Sequence, residues 1–185
     1  MAKVSNNIIM QGLSGSLGNQ LVIRQGKGGQ TIVATMPSTG RTFNAAQQAQ
    51  HEAFRHAIAY AKSAKEEPTY LTKAQGTTMS AFNAAVADWF NKPQVLEINI
   101  ENWTGATGET IRVKAQDDTQ VAKVNVQIVD ANCSILEEGD AVQADGLWWD
   151  YTTTTTLDGN PSSATVKATA HDLPGNNHML LWQNN

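Results

Sequence analysis

The chain holds a single cysteine, Cys133, among 185 residues. One thiol cannot make an internal disulfide, so packing and hydrogen bonds must hold the fold. Aromatic residues are few, at 6%, and charged residues make up 16%. A hydrophobic share of 41% still excludes a wholly disordered chain. No apolar run approaches the roughly 20 residues of a membrane helix, so no membrane association is expected. The start, Met1-Ala2-Lys3-Val4-Ser5-Asn6-Asn7, lacks the apolar stretch of a signal peptide. The expectation is cytoplasmic synthesis without a signal peptide, with the final location open between the cytoplasm and a released particle.

What is present divides in two. Up to Pro93 the chain is rich in Ala, Gln and Lys, and beyond it in Val, Ile, Thr and Asp. Residues 1–93 carry nine Lys/Arg and four Asp/Glu, a net of +5, whereas residues 94–185 carry four and thirteen, a net of −9. A domain boundary is therefore expected between Asn91 and Gln94. It would separate a β-hairpin and helical assembly domain (1–93) from an all-β domain (94–185), giving an α+β fold.

In the first domain, Gln20–Arg24 and Gln30–Ala34 read as a hairpin around Gln25-Gly26-Lys27-Gly28-Gly29, since glycine reaches positive φ at little cost. Asn7–Met10 reads as a further short strand, followed by a turn-rich connection through Gly12, Gly15 and Gly18. Two or three short strands need a partner surface. Asn44 to Lys65 reads as a helix, with Asn44 and Gln47 spaced as a capping box and Ala46, Ala49, Phe54, Ala57, Ile58 and Ala61 as its apolar stripe. A helical turn follows near Thr69–Ala74. Thr78 to Asn91 reads as a second main helix, with Met79, Phe82, Ala85, Val86, Trp89 and Phe90 on one side.

The second domain shows strands with a period of two at 95–101, 110–115, 121–129, 134–136, 147–154, 164–170 and 179–182, with Leu96, Ile98 and Ile100 expected on one face of the first. About seven strands with turns between them point to a β-sandwich. The stretches Ile111–Asp118, Val124–Asp130 and Val166–Asn176 resemble those of bacterial immunoglobulin-like domains. That resemblance covers roughly residues 94–185 and implies an immunoglobulin-like sandwich without its cysteine pair, and no particular function. The first domain resembles, more loosely, Bacteroidota proteins in which a Gly-rich start and a basic hairpin (here Gly15–Asn19 and Arg24) precede a Gln-rich helix (Gln47, Gln48, Phe54). That likeness implies no active site.

Chemistry is sparse. Cys133 and Ser14 read as turn residues, and Ser14 does not sit in a nucleophile elbow. Gly12, Gly15 and Gly18 lead into a strand, unlike a dinucleotide-binding loop. His51 and His56 diverge by about 140° on a helix, and His171 and His178 flank a turn. Asp117, Asp118, Glu137, Glu138, Asp140 and Asp145 offer oxygen ligands of the kind calcium takes, but without EF-hand spacing, and are read as a solvated acidic rim. No cofactor, metal site or catalytic residue is therefore expected. Nucleic acid is disfavoured as a partner, because Tyr60 is the clearest aromatic for base stacking on a basic face.

A modular chain poor in chemistry suits a structural protein better than an enzyme. We expect a non-enzymatic subunit of a homopolymer — a filament, tube or phage-like particle — built by N-terminal strand exchange and head-to-tail contacts between unlike charges. The expected interface comprises Ile8, Ile9, Met10 and Leu13; Leu21, Ile23, Arg24, Lys27, Ile32 and Arg41; and Glu137, Glu138 and Asp140 with Trp148 and Trp149. The alternative is a module that binds a glycan or a protein through the sandwich, since the adjacent tryptophans face opposite sides of a strand.

Overall fold

The computed structural model describes residues 2–4, as backbone, together with 9–26, 28–38, 40, 42–157 and 164–182. It begins with four short strands, β1 (Ala2–Val4), β2 (Gly15–Leu17), β3 (Leu21–Gln25) and β4 (Thr31–Thr35). They form an antiparallel sheet in the order β1-β4-β3-β2. The expected hairpin is β3–β4, with Ile23 opposite Val33. Gly15–Leu17, expected within a connection, is a strand opposite β3. Its turn is made possible by positive φ at both Gly18 and Asn19. Of the strand expected at Asn7–Met10, Asn7 and Ile8 lie outside the described residues and Ile9–Met10 form a turn.

Three helices follow: α1 (Ala45–Ala64), α2 (Pro68–Ala74) and α3 (Ala81–Phe90). The capping box on α1 is present, with the Gln47 amide donating to Asn44 Oδ1 at 2.8 Å and the Asn44 amide to Gln47 Oε1 at 3.1 Å. Helix α3 starts later than its apolar pattern implies, because the Ser80 side chain accepts from the Asn83 amide and caps it there. The helical core contains Ala61, Ala64, Tyr70, Ala84 and Ala85. Ala46, Ala49 and Phe54, expected on a buried stripe, are exposed. The reason is length. Helix α3 has 10 residues against 20 in α1, about 15 Å against 30 Å, so it covers one half only. Phe54 and Phe90 stack on each other at the surface, centroids 6.4 Å apart.

The remainder is a β-sandwich of two four-stranded antiparallel sheets: β5 (Gln94–Asn99), β6 (Thr110–Gln116), β10 (Trp148–Thr152) and β9 (Val142–Gln143) against β12 (Asn177–Trp182), β11 (Thr165–Asp172), β7 (Val121–Val129) and β8 (Ile135–Asp140). This order, with consecutive elements distributed between the sheets, is the immunoglobulin-type arrangement. Two-residue β9 is the strand that the sequence reading lacks. Strand β11 alternates strictly, with Val166, Ala168 and Ala170 inward. Strand β5 departs from its expected face. A bulge between Val95 and Glu97 turns Leu96 outward and leaves Val95 and Ile98 in the core.

Candidate functional site

Three elements meet where the helices join the sandwich. Helix α2 supplies Tyr70 and Lys73, α3 supplies Asp88, and the β6–β7 turn supplies Asp117, Asp118 and Thr119. Asp88 lies on the same helical stripe as Ala84 and Ala85, which turns its carboxylate inward. It is fully buried. The Tyr70 hydroxyl donates to Asp88 Oδ2 at 2.5 Å and pairs with the Tyr60 hydroxyl at 2.7 Å. Since Tyr70 uses its proton on Asp88, Tyr60 is the donor of the second bond.

The turn is built by Asp117, whose Oδ2 accepts from the amides of Thr119 and Gln120 at 3.1 and 2.9 Å. Lys73 Nζ lies 2.9 Å from Asp118 Oδ2 and donates to Thr119 Oγ1 at 2.6 Å. Asn91 Nδ2 donates to the same Asp118 oxygen at 3.0 Å. One carboxylate oxygen from each of Asp88, Asp117 and Asp118 lies within 4.8 Å of the others. Among the described residues no other group of three or more carboxylates, histidines or thiols gathers this closely.

Burial raises the Asp88 carboxyl above the usual carboxylate range; the Thr119 and Tyr70 hydroxyls oppose this, and the charges of Asp117 and Asp118 reinforce it. Asp118 is also desolvated, yet its bonds to Lys73 and Asn91 hold it below the usual range. Asp172, at the end of β11, is raised by burial against its bonds to Asn176, with the Asp117 charge adding to the rise. Asn176 reaches back to the carbonyls of Trp89 and Asn91, at 3.2 and 3.3 Å. Beside the cluster, an open groove of about 600 Å³ is lined by Asn91, Lys92, Gln116, Asp117, Asp118 and His178 among others. The arrangement is suited to holding a proton or a cation.

Sequence reasoning placed Asp117 and Asp118 among six loop carboxylates. Asp88 was missed, although its three- and four-residue spacing from Ala85 and Ala84 marks it as inward-facing. The other four lie elsewhere. Glu138 and Asp145 are exposed, and Asp140 pairs with Lys123 at 3.0 Å. Glu137, expected on an exposed rim, is buried, and its carboxylate accepts from the Tyr151 hydroxyl and from Thr154 and Thr155. Its alternation along β8 places it inward, and these donors satisfy its charge.

The remaining expected interface residues scatter over several environments. Ile8, Lys27 and Arg41 lie outside the described residues. Ile9, Leu13 and Arg24 are exposed, and Met10, Leu21 and Ile32 are half-buried. Ile23 is buried within the sheet, and Trp149 is buried in the sandwich core. Trp148 faces outward, with the Arg112 guanidinium 5.1 Å and the Lys114 ammonium 5.6 Å from its ring. Tyr60 is tied to Tyr70 and Trp89 in the helical unit. His178 Nδ1 accepts from the Val95 amide at 3.1 Å.

No protein-family model and no curated protein matches the chain. Among solved structures, an engineered protein is 21% identical over 55% of this chain and 25% of its own, with a TM-score of 0.35. A conjugative transposon lipoprotein from Bacteroides eggerthii is 11% identical over 51% of this chain and 97% of its own, with a TM-score of 0.25. The chain thus spans about a quarter of the engineered protein. Likenesses of this size carry no functional argument. No described helix is long and apolar enough to cross a membrane.

Proposed function

We propose that this chain is a structural, non-enzymatic subunit that assembles with copies of itself through its N-terminal sheet. The observation that carries this reading is the thinness of that sheet. Among the side chains described in β2, β3 and β4, only Ile23 and Thr31 are buried. Leu13 and Leu17 are exposed beside them, and β1 and β2 stand at the outer edges. A small sheet gains stability by covering a face or pairing an edge, and a second copy offers both. The opposite net charges of the two halves favour head-to-tail contacts, and such contacts extend into filaments or tubes when they do not close.

Size-exclusion chromatography with light scattering and electron microscopy test the reading. The expected result is a salt-sensitive oligomer that is lost on deleting residues 1–19, or in Ser16→Pro at the β2 edge, while the sandwich stays folded. A monodisperse monomer at high concentration and low salt overturns it.

A second reading rests on Trp148. An outward indole beside Arg112 and Lys114 suits an acidic glycan or a carboxylate-bearing peptide. A glycan array with Trp148→Ala as control tests this. Trp149→Ala reports only on stability, because that ring is in the core.

A further inference from the structure

We propose that Asp88, Asp117 and Asp118 form a calcium site that joins the helical unit to the sandwich. Three carboxylates from two separate parts of the chain converge, each with one oxygen within 4.8 Å of the others. Calcium takes oxygen ligands at about 2.3–2.6 Å in a flexible geometry, so oxygens gathered this closely suit a shared ion after small side-chain adjustments. Magnesium demands near-ideal octahedral geometry and gives up its waters reluctantly, which suits a partly buried three-carboxylate site less well.

The cluster alone would be an acidic patch. What distinguishes it is Asp88. Its side chain is fully buried, its Oδ2 is occupied by Tyr70, and its Oδ1 has no hydrogen-bond partner. Asp117 repeats the pattern: its Oδ2 is occupied by two turn amides, and its buried Oδ1 has no partner. A buried carboxylate oxygen without a donor costs on the order of 1–3 kcal/mol, and a cation bound through these Oδ1 atoms would remove that cost at both residues.

The charges agree. Asp88, Asp117 and Asp118 bring three negative charges, Asp172 acts on the same group from β11, and Lys73 is the cation paired with Asp118. One ammonium leaves the three ligand carboxylates at a net of −2, which a divalent ion offsets. Lys73 occupies Asp118 Oδ2 while the Oδ1 atoms of Asp88 and Asp117 remain available, so the lysine and the ion do not compete for the same lone pairs. Asp118 is partly exposed and lines the open groove, which provides an entry path.

The experiment is calcium titration of the full chain by calorimetry, paired with thermal unfolding in divalent-free buffer and in 5 mM calcium chloride. We expect saturable binding of one ion, a rise in Tm of about 5 °C, and a weaker response to magnesium. Asp117→Asn should abolish both the heat and the Tm shift. Asp118→Asn serves the same purpose if the first variant fails to fold. Absence of binding to the wild-type chain at millimolar calcium overturns the proposal, as does a calcium response that survives both substitutions. Because the readout is the ion itself, the result is independent of whether the chain assembles.

Discussion

The Tyr70 hydroxyl donates to Asp88 Oδ2 at 2.5 Å, across two helices and out of contact with water. It is a short bond to a fully buried carboxylate, and it relays the Tyr60 hydroxyl behind it. Tyr70→Phe should therefore cost about 1–3 kcal/mol, the penalty for stranding a buried acceptor. Tyr60→Phe removes a bond at a partly exposed group and should cost about 0.5–1.5 kcal/mol. Urea denaturation of both single variants and the double variant checks this. Full additivity would mean that the relay is not coupled.

Asp88 and Asp172 have carboxyls raised above the usual 3.8, chiefly by burial. The native state then binds their protons more tightly than the unfolded chain does. Their stabilising contribution is complete below the unfolded value and is lost as pH rises through the native one. Asp88→Asn removes that loss. In divalent-free buffer its stability relative to wild type should rise between pH 4 and pH 7. An unchanged difference across that range, measured by urea denaturation, would contradict the burial argument.

Glu137 behaves in the opposite way. Although burial opposes it, hydrogen bonds from Thr155, Thr154 and Tyr151 hold its carboxyl below the usual 4.5. Its contribution is present above about pH 4.5 and lost as pH falls through the lower native value. Glu137→Gln should cost about 2–4 kcal/mol at pH 7. It should also reduce the slope of stability against pH on the acid side, which acid titration followed by circular dichroism would register.

Gly139 faces the same tyrosine. A Cβ at this position would lie 2.7 Å from Tyr151 Cε2, and the ring is held in place by its bond to Glu137. Gly139→Ala should destabilise the sandwich by about 1–3 kcal/mol. Gly108→Ala meets no atom within 4 Å but has a φ of +85°, so its cost comes from the backbone alone. Comparing the two by thermal unfolding, with Tyr151→Leu added to each, separates the mechanisms: only the Gly139 variant should recover.

Local signals were the legible ones. The Asn44–Gln47 box, the glycine turn between β3 and β4, and the alternation of β7 and β11 each depend on a few neighbouring residues. Leu96 was not readable, because a bulge is fixed by the partner strand β6. The bare half of α1 was not readable either, since it depends on how long α3 is. Glu137 and Asp88 show the same limit from the chemical side. A carboxylate reads as surface until the fold brings a tyrosine to it, and in both cases the tyrosine lies at least 14 residues away in the chain.

Leu173, in the turn between β11 and β12, packs into the helical core. This contact ties the helices to the sandwich across the boundary expected near Pro93. The helices borrow a side chain from the last hairpin of the sandwich, so they should not melt ahead of it. Calorimetry should show one endotherm whose van't Hoff and calorimetric enthalpies agree. Leu173→Ala should uncouple the two halves, turning one transition into two before it unfolds either.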